Sequence, residues 1–362
     1  MTRALRRDLI TRKLTNFRTL ESRMGAAQAL KKRELTERCR TLNAFLDSAT
    51  VHVIDTPNDP HFREFYNLYK TVFTLPSERE TPRGFNEVLA MNNNTELAAL
   101  VGGKYREATI LMRDPTTNEV IGAINFTAYP MNDDVARETG IDATSHVIYL
   151  FTHQDYRKAG VAKRLKDLTK KYVKAFTLGE NPKSAILDNK QLSRDINLLS
   201  MCEQNAPELM TAREYLDDNV NAGIDQVDRL RHWVRAGYNR MNMEYVQPPL
   251  EEGGDPCEYL TLNAEAPVNT RIPGSVIAAH LDRFFGISVL KGKKPQDEPT
   301  YQKLRRQLMT AQADVGLFQD TTYFDRMGQD ITGLLDDATI GRKRVASDKT
   351  IGEILNYHVQ TS

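Results

Sequence analysis

The stretch YLFTHQDYRKAGVAKRL (149–165) runs from a β-rich segment into a basic helix, with Arg157-Lys158-Ala159-Gly160-Val161-Ala162 at the junction. The chemistry this supports is anion binding. The first backbone N–H groups of a helix have no intrahelical partner and point outward. The helix dipole adds roughly half a positive charge at the same place. Gly160 and Ala162 remove side-chain bulk, so a phosphate can approach the backbone. Lys163, Lys166 and Lys170 are expected to strengthen the field along the helix. Two better-known phosphate loops are absent. There is no G-x-x-x-x-G-K-[ST], since Gly102-Gly103-Lys104 lacks the first glycine and is followed by Tyr105, and there is no G-x-G-x-x-G. No H-E-x-x-H or paired His/Cys cluster points to a metal, and no G-x-S-x-G points to a serine nucleophile.

The elements that must position this junction follow from hydrophobic period and turn residues. VHVID (51–55) reads as a short strand, and 61–73 as a helix with Phe62, Phe65, Leu68 and Val72 on one side. Residues 84–101 read as a second helix with a polar break at Asn92–Asn94. ATILMRD (108–114) and EVIGAINFTAYP (119–130) are strands around the turn PTTN, and SHVIYLFT (145–152) is a third. Residues 161–176 form an amphipathic helix through Val161, Leu165, Leu168, Tyr172 and Phe176. INLLSMCE (196–203) reads as the next strand, with SAILD (184–188) competing for that role. Two helices follow at PELMTAREYLDD and IDQVDRLRHWVRAG. A strand pair, MNMEYVQPP and CEYLTLNAE, comes next around the turn region 252–256. Beyond 266, residues 275–290 and 300–318 look helical.

The chain has 362 residues, enough for about two domains or one elaborated one. With 40% hydrophobic residues it can bury a large core. No run of about 18 apolar residues suggests a membrane span, and the first ten residues lack the apolar segment of a secretory signal. Cys39, Cys202 and Cys257 stand far apart, which argues against a disulfide framework and for a reducing, cytoplasmic setting. The formal charge of +1 hides an asymmetry. Residues 1–50 hold twelve Lys/Arg against five Asp/Glu, a balance of +7 that leaves −6 for the rest. Such a basic helical arm suits nucleic acid, an acidic membrane surface or an acidic partner, but it reads first as a solvated helix face. The organisation expected is a basic helical extension (1–50), a central domain (51–265) and a helical C-terminal extension (266–362).

The junction resembles the acyl-CoA-binding motif of the GNAT acetyltransferase superfamily, R/Q-x-x-G-x-G/A, with Arg157, Gly160 and Ala162 in its three fixed places. The order of elements over 51–265 is similar to that family's as well. WVRAGYNRMNMEYVQPPL (233–250) looks like its helix end leading into the last strand pair. The fold implied is α/β, with a mixed, mostly antiparallel central sheet flanked by helices. The activity implied is transfer of an acyl group from acyl-CoA to an amine in a ternary complex. On this resemblance strand 145–152 splays from its neighbour near 196–203 and the pantetheine arm lies in the gap. The backbone of Leu150, Phe151 and Thr152 would line that gap. The amides of Lys158, Ala159, Gly160, Val161 and Ala162 beside Arg157 would hold the pyrophosphate, and Asn205 would lie near the pantetheine arm.

The resemblance also supplies catalytic candidates. His146, eleven residues before Arg157, stands where many relatives carry a glutamate. Glu203 ends the neighbouring strand and could take the amine proton through water. Both have structural alternatives: His146 as a packed or solvent-facing side chain, Glu203 as a solvated strand end. A strand-backbone N–H would stabilise the oxyanion. The usual leaving-group tyrosine position falls on Trp233, which cannot serve as that acid. Tyr149 is expected to face the opposite side of the sheet from Leu150, in a packing role. His280, among Ile277, Leu281 and Phe284, reads as a satisfied core histidine. The reading is an acyl-CoA-dependent N-acyltransferase, with acetyl-CoA as expected co-substrate and an unidentified amine acceptor. Its rivals are an enzyme making long-chain N-acyl amino acids and a non-catalytic acyl-CoA-binding protein with a basic arm.

Overall fold

The computed structural model describes residues 41, 44–73, 79–157, 159–250, 254–310, 314–318, 321–336 and 349–355, and leaves the side chains of 318, 321–323, 335 and 336 undescribed. The basic helical extension expected over 1–50 therefore lies almost wholly outside the described residues, except for 41 and 44–50, of which 44–48 are helical. Lys158 also lies outside them.

Among the described residues nine strands form one sheet: β1 (Thr50–Ile54), β2 (Arg106–Arg113), β3 (Val120–Pro130), β4 (Ala143–Thr152), β5 (Leu198–Asn205), β6 (Tyr238–Met241), β7 (Leu260–Glu265), β8 (Arg271–Pro273) and β9 (Asp314–Phe318). Their order is β1-β2-β3-β4-β5-β7-β6-β9-β8. Only β4 and β5 run parallel; every other pairing is antiparallel. This is the mixed α/β, GNAT-like arrangement that the resemblance implies.

Local signals account for most boundaries. Between β1 and β2 lie α1 (Phe62–Val72), α2 (Pro82–Met91) and α3 (Thr95–Leu100). Thr81 caps α2 by accepting from the Gly84 N–H, with Pro82 at the first helical position. The break at Asn92–Asn94 is real: Asn93 is left-handed (φ 68°) and the Asn94 side chain caps α3 at the Leu97 N–H. In the β2–β3 turn the Asp114 carboxylate accepts from the Thr116 and Thr117 amides at 2.7 and 3.0 Å. After α4 (Asp133–Thr139) and β4 comes α5 (Val161–Thr177), which buries Val161, Leu165, Leu168, Tyr172 and Val173. Side chains of this kind contribute about 1.5–3 kcal/mol each when fully buried. A Cβ on Gly122 of β3 would sit 2.7 Å from Val161 Cγ1, so this glycine lets the start of α5 rest directly on the sheet.

One alternative falls and two expectations need correction. INLLSMCE supplies β5, and its competitor SAILD is not a strand. Pro182 at the first helical position and the Asn181 cap make it part of α6 (Pro182–Leu187). After α7 (Ala212–Ala222) and α8 (Gln226–Arg235), the strand expected at MNMEYVQPP comes earlier. Gly237 (φ 90°) turns the chain straight into β6 at Tyr238. Pro248 and Pro249 have no amide to give a ladder, and that segment keeps a single bridge, Gln247–Cys257. Third, the helix expected over 300–318 ends early. α9 (Gly274–Phe284), extended by a π turn at Phe285–Val289, is followed by α10 (Pro299–Leu308). Tyr301, Leu304 and Leu308 keep a helical period, but Val315 and Leu317 bury with the period of two of a strand, and β9 joins β6 to β8. The last helices are α11 (Thr321–Asp336) and α12 (Ile351–Leu355). Two strands and α9 thus come from beyond residue 265.

The two faces of the sheet differ. Ala108, Ile110 and Met112 of β2 point to the α5 face with Ile124, Phe126 and Val147. Glu107 and Thr109, with Asn125, Thr127 and His146, point to the face covered by α9. That second face is polar and yet buried.

Candidate functional site

The site begins where β4 and β5 part. They pair in parallel from Ala143–Leu198 to Val147–Cys202 and no further. β4 continues to Thr152 paired only with β3, and β5 turns to pair with β7 from Met201 to Asn205. The expected splay is therefore present, with Leu150, Phe151 and Thr152 on one arm and Glu203 and Asn205 on the other. Its origin is visible in the register. Asn125 opposes Tyr149 and Phe126 opposes Val147, so Ile148 is an extra residue in β4. Such a bulge raises local twist and swings the strand away from its neighbour. Side chains beyond the bulge still alternate. Leu150 packs with the α5-face cluster. Tyr149 and Phe151 pack with Tyr69 and Phe73 on the other side, the Tyr149 ring 4.9 Å from both. Tyr149 is thus the packing residue expected.

The anion loop lies at the end of β4. Gly160 adopts φ 86° as the N-cap of α5, a conformation that costs other L-residues about 1 kcal/mol or more. Arg164 N–H is the first to return to the loop, onto Gly160 O at 3.0 Å, so the Val161, Ala162 and Lys163 amides precede the intrahelical ladder. Ala159 N–H is already used by Tyr156 O at 3.2 Å. Of the amides expected to bind an anion, that of Ala159 is therefore taken. Arg157 is exposed beside them. The three lysines expected to aid the field are differently placed. Lys163 pairs with Asp167 at 2.8 Å and Lys170 with Glu265 at 2.5 Å. Lys166 turns inward under the rings of Trp233 and Tyr238, where burial lowers its pKa. Trp233 sits 4.8 Å from Tyr238 and is a packing residue, in keeping with its lack of an acid proton. Helical residues 44–48 flank the loop: Phe45 stacks on Tyr156 and Asp47 lies 3.6 Å from Arg164.

The other arm holds acid–base groups on the α9 face. Glu203 Oε2 stands 3.8 Å from His146 Nε2, so the two catalytic candidates do converge. Their surroundings separate them. His146 is completely buried, and burial drives its pKa down to about 3, so the ring is neutral. Glu203 keeps 16% of its side chain exposed, and burial of the rest raises its pKa to about 7. Only Glu203 can therefore reach a molecule in the fork. A base works best with a pKa near the working pH.

Three residues outside the initial candidate set complete the cluster. Tyr245 donates its hydroxyl hydrogen to Glu203 Oε1. His280 Nε2 lies 3.0 Å from His146 Nδ1, and His280 Nδ1 lies 2.9 Å from Thr144 Oγ1. Phe284 stacks on His146 with centroids 3.8 Å apart and planes 7° apart. His280 is the satisfied core histidine that its apolar helix face suggests. Its partner is itself a site candidate, which a sequence does not reveal. Phe284 and Phe285 pack against His146, Tyr301 and each other. Among the described residues no three His, Cys, Asp or Glu side chains converge as metal ligands, and no helix is long and apolar enough to cross a membrane.

A scan against protein-family models finds no match, and no curated protein matches either. Solved structures with similar folds include Arabidopsis thaliana NAA60 in complex with a bisubstrate analogue (14% identity, 59% of this chain, 97% of that chain, TM-score 0.33). Another is the NatC complex bound to Gag peptide and CoA (14% identity, 61% and 98% covered, TM-score 0.31). A third is the loading GNATL domain of CurA from Lyngbya majuscula (10% identity, 60% and 97% covered, TM-score 0.33). Overlaps this loose say nothing of substrate or mechanism.

Proposed function

We propose that this GNAT-like chain is an acyl-CoA-dependent N-acyltransferase that takes acetyl-CoA and an amine acceptor. The observation that supports this most is the fork. Two parallel strands part at Val147–Cys202, a carboxyl side chain stands at the parting, and a glycine-capped helix opens its amides at the end of one arm.

In this reading the Val161, Ala162 and Lys163 amides and Arg157 bind the pyrophosphate, and the pantetheine arm follows the free edge of Leu150, Phe151 and Thr152 past Asn205. CoA would supply the thioester whose carbonyl carbon is attacked. Glu203 takes a proton from the incoming ammonium. The new N–C bond forms as the C–S bond breaks. A backbone N–H at the β4 bulge is the donor suited to the oxyanion. His146 and Tyr245 act on Glu203 rather than on substrate. Tyr245 donates to the carboxylate and favours its charged form, and neutral His146 packs 3.8 Å from the other oxygen and limits where the carboxylate can swing. His146 therefore becomes a positioning residue. Asn205, the amide of Lys158 and the identity of the acceptor stay within the proposal; the Ala159 amide, held by Tyr156 O, does not.

The test is thiol release from acetyl-CoA with a panel of primary amines and peptide N-termini. Amine-dependent release that falls about 100-fold or more in Glu203→Gln, with donor affinity kept, is expected. Donor binding with no amine-dependent release would favour a non-catalytic acyl-CoA-binding protein.

A further inference from the structure

The polar row on the α9 face continues past His146 to a second buried carboxyl. Glu107 of β2 is opposite Thr127 of β3, which is opposite His146 of β4. Opposed residues on neighbouring strands share a face, with Cβ atoms about 4.5–5.5 Å apart. Two stretches of this row are hydrogen-bonded. At one end His146 meets His280, which meets Thr144, and Glu203 approaches His146 at 3.8 Å without a hydrogen bond. At the other end Glu107 Oε1 accepts from Asn125 Nδ2 at 3.2 Å, and Oε2 accepts from Ser288 Oγ, in the π turn, at 2.9 Å. Between the two stretches stand the hydroxyls of Thr127 and Tyr129. They lie close enough to interact, yet neither has a partner in hydrogen-bond geometry. Tyr129 is the register partner of Thr144, and Thr127 stands between Glu107 and His146. His146 Nε2 and Asn125 Oδ1 are likewise without a hydrogen bond. Four such atoms in one buried layer are costly unless something mobile and polar serves them.

We propose that Glu107 is a second proton-holding carboxyl of the site, coupled to Glu203 through the row of Thr127, Tyr129, His280 and His146. Its purpose rests on the acyl-transfer reading; its existence does not. An ammonium acceptor loses two protons on becoming an amide, and the departing thiolate takes one. One proton per turnover must therefore leave Glu203; Glu107 is the acceptor the row leads to, and it holds that proton until product has left, when the proton returns along the row and reaches solvent at the exposed edge of Glu203. As a group that acts through Glu203, Glu107 is a positioning residue. The charged and titratable groups facing its layer are Glu80, Lys291, Arg283, Tyr129, Tyr149 and His146. Glu80 pairs with Lys291 at 2.8 Å, so neither is a bare charge. Burial pushes Glu107 up to about 7, the same range as Glu203. The two carboxyls are three strand spacings apart, roughly 14 Å, close enough to couple in a low-dielectric layer.

The experiment is an infrared titration of protonated carboxyl groups in the free protein, from pH 5 to 9, in the parent chain and in Glu107→Gln, Glu203→Gln and Thr127→Val. Two carboxyl bands lost near neutral pH are expected. Glu107→Gln should lower the Glu203 midpoint by about half a unit or more, because a like charge is gone. Thr127→Val, which keeps both acids, should alter the midpoints of both. A Glu107 ionised throughout the range, or a Glu203 midpoint unmoved in Glu107→Gln, would overturn the proposal. No donor or acceptor is added, so a failed acyltransferase reading leaves this result readable. In turnover, Glu107→Gln should shift the pH profile of kcat with KM for acetyl-CoA within twofold, and Glu107→Asp should restore it. A uniform loss at every pH with no rescue would mark Glu107 as structural only and would also overturn the proposal.

Discussion

At Gly160 the fork is made of backbone; at Glu203 it is made of side chains. The first arm needs one residue with φ 86°, the end of a strand and the start of a helix, all within about a dozen positions of the chain. The second arm needs His146, Glu203, Tyr245 and His280, drawn from four separate segments. Backbone donors are fixed by the fold, and their strength hardly depends on pH. The side-chain arm depends on burial, which sets Glu203 near 7 and holds His146 neutral. The difference predicts that the two arms fail separately: damage at the loop should remove binding, and damage at Glu203 should remove turnover.

The largest separation is expected from Glu203→Gln, with kcat down about 100- to 1000-fold and the acetyl-CoA Kd within twofold. Steady-state rates beside calorimetry check this, and parallel loss of both would merge the arms. Tyr245→Phe should cost about tenfold in kcat. It removes the hydrogen bond that favours the charged carboxylate, so the midpoint of the pH profile should move above 7. A midpoint moving down would reverse the assignment of that bond.

Stability against pH gives a smaller, independent handle. Glu203 has a raised folded pKa, so between about 4.5 and 7 the native state holds more protons than the unfolded chain. Its contribution is therefore lost as pH rises through that window, by up to about 3 kcal/mol. Glu203→Gln should lose nothing there, so the Tm of this variant minus that of the parent should increase from pH 5 to pH 8. The buried histidines act oppositely, because their lowered pKa values make stability rise with pH below about 6.5. The mutant difference cancels that background. The smallest effect concerns the loop. Gly160→Ala should lower Tm by about 2–4 °C, since the residue is left-handed and its Cβ would stand 3.1 Å from Leu46 Cδ1.

The same contrast decides how much was legible in the sequence. The loop is local, so Arg157, Gly160 and the helix after it could be read from spacing alone. The strand order around it followed from period and turns. Glu203 was found as a strand end and His146 by counting from Arg157. Their contact was not legible, because it depends on the Ile148 bulge and the parting of β4 from β5. Tyr245 was hidden in a segment read as a strand, which in fact leaves the sheet before Pro248. Glu107 did leave a trace: Glu107 and Thr109 in one strand, with Asn125 and Thr127 in the next, put polar residues at a period of two among apolar neighbours. β9 was lost because a helical period held as far as Leu308 and masked the change to alternation at Val315.

The most direct test of the fork as an acyl-CoA site is calorimetric titration of the whole chain and of Gly160→Glu with acetyl-CoA and CoA. Glutamate there would place bulk and negative charge at the open amides of α5. Saturable binding by the parent and its loss by about 100-fold or more in a folded variant is the predicted result. No binding by a folded parent, or equal binding by both, would contradict the account.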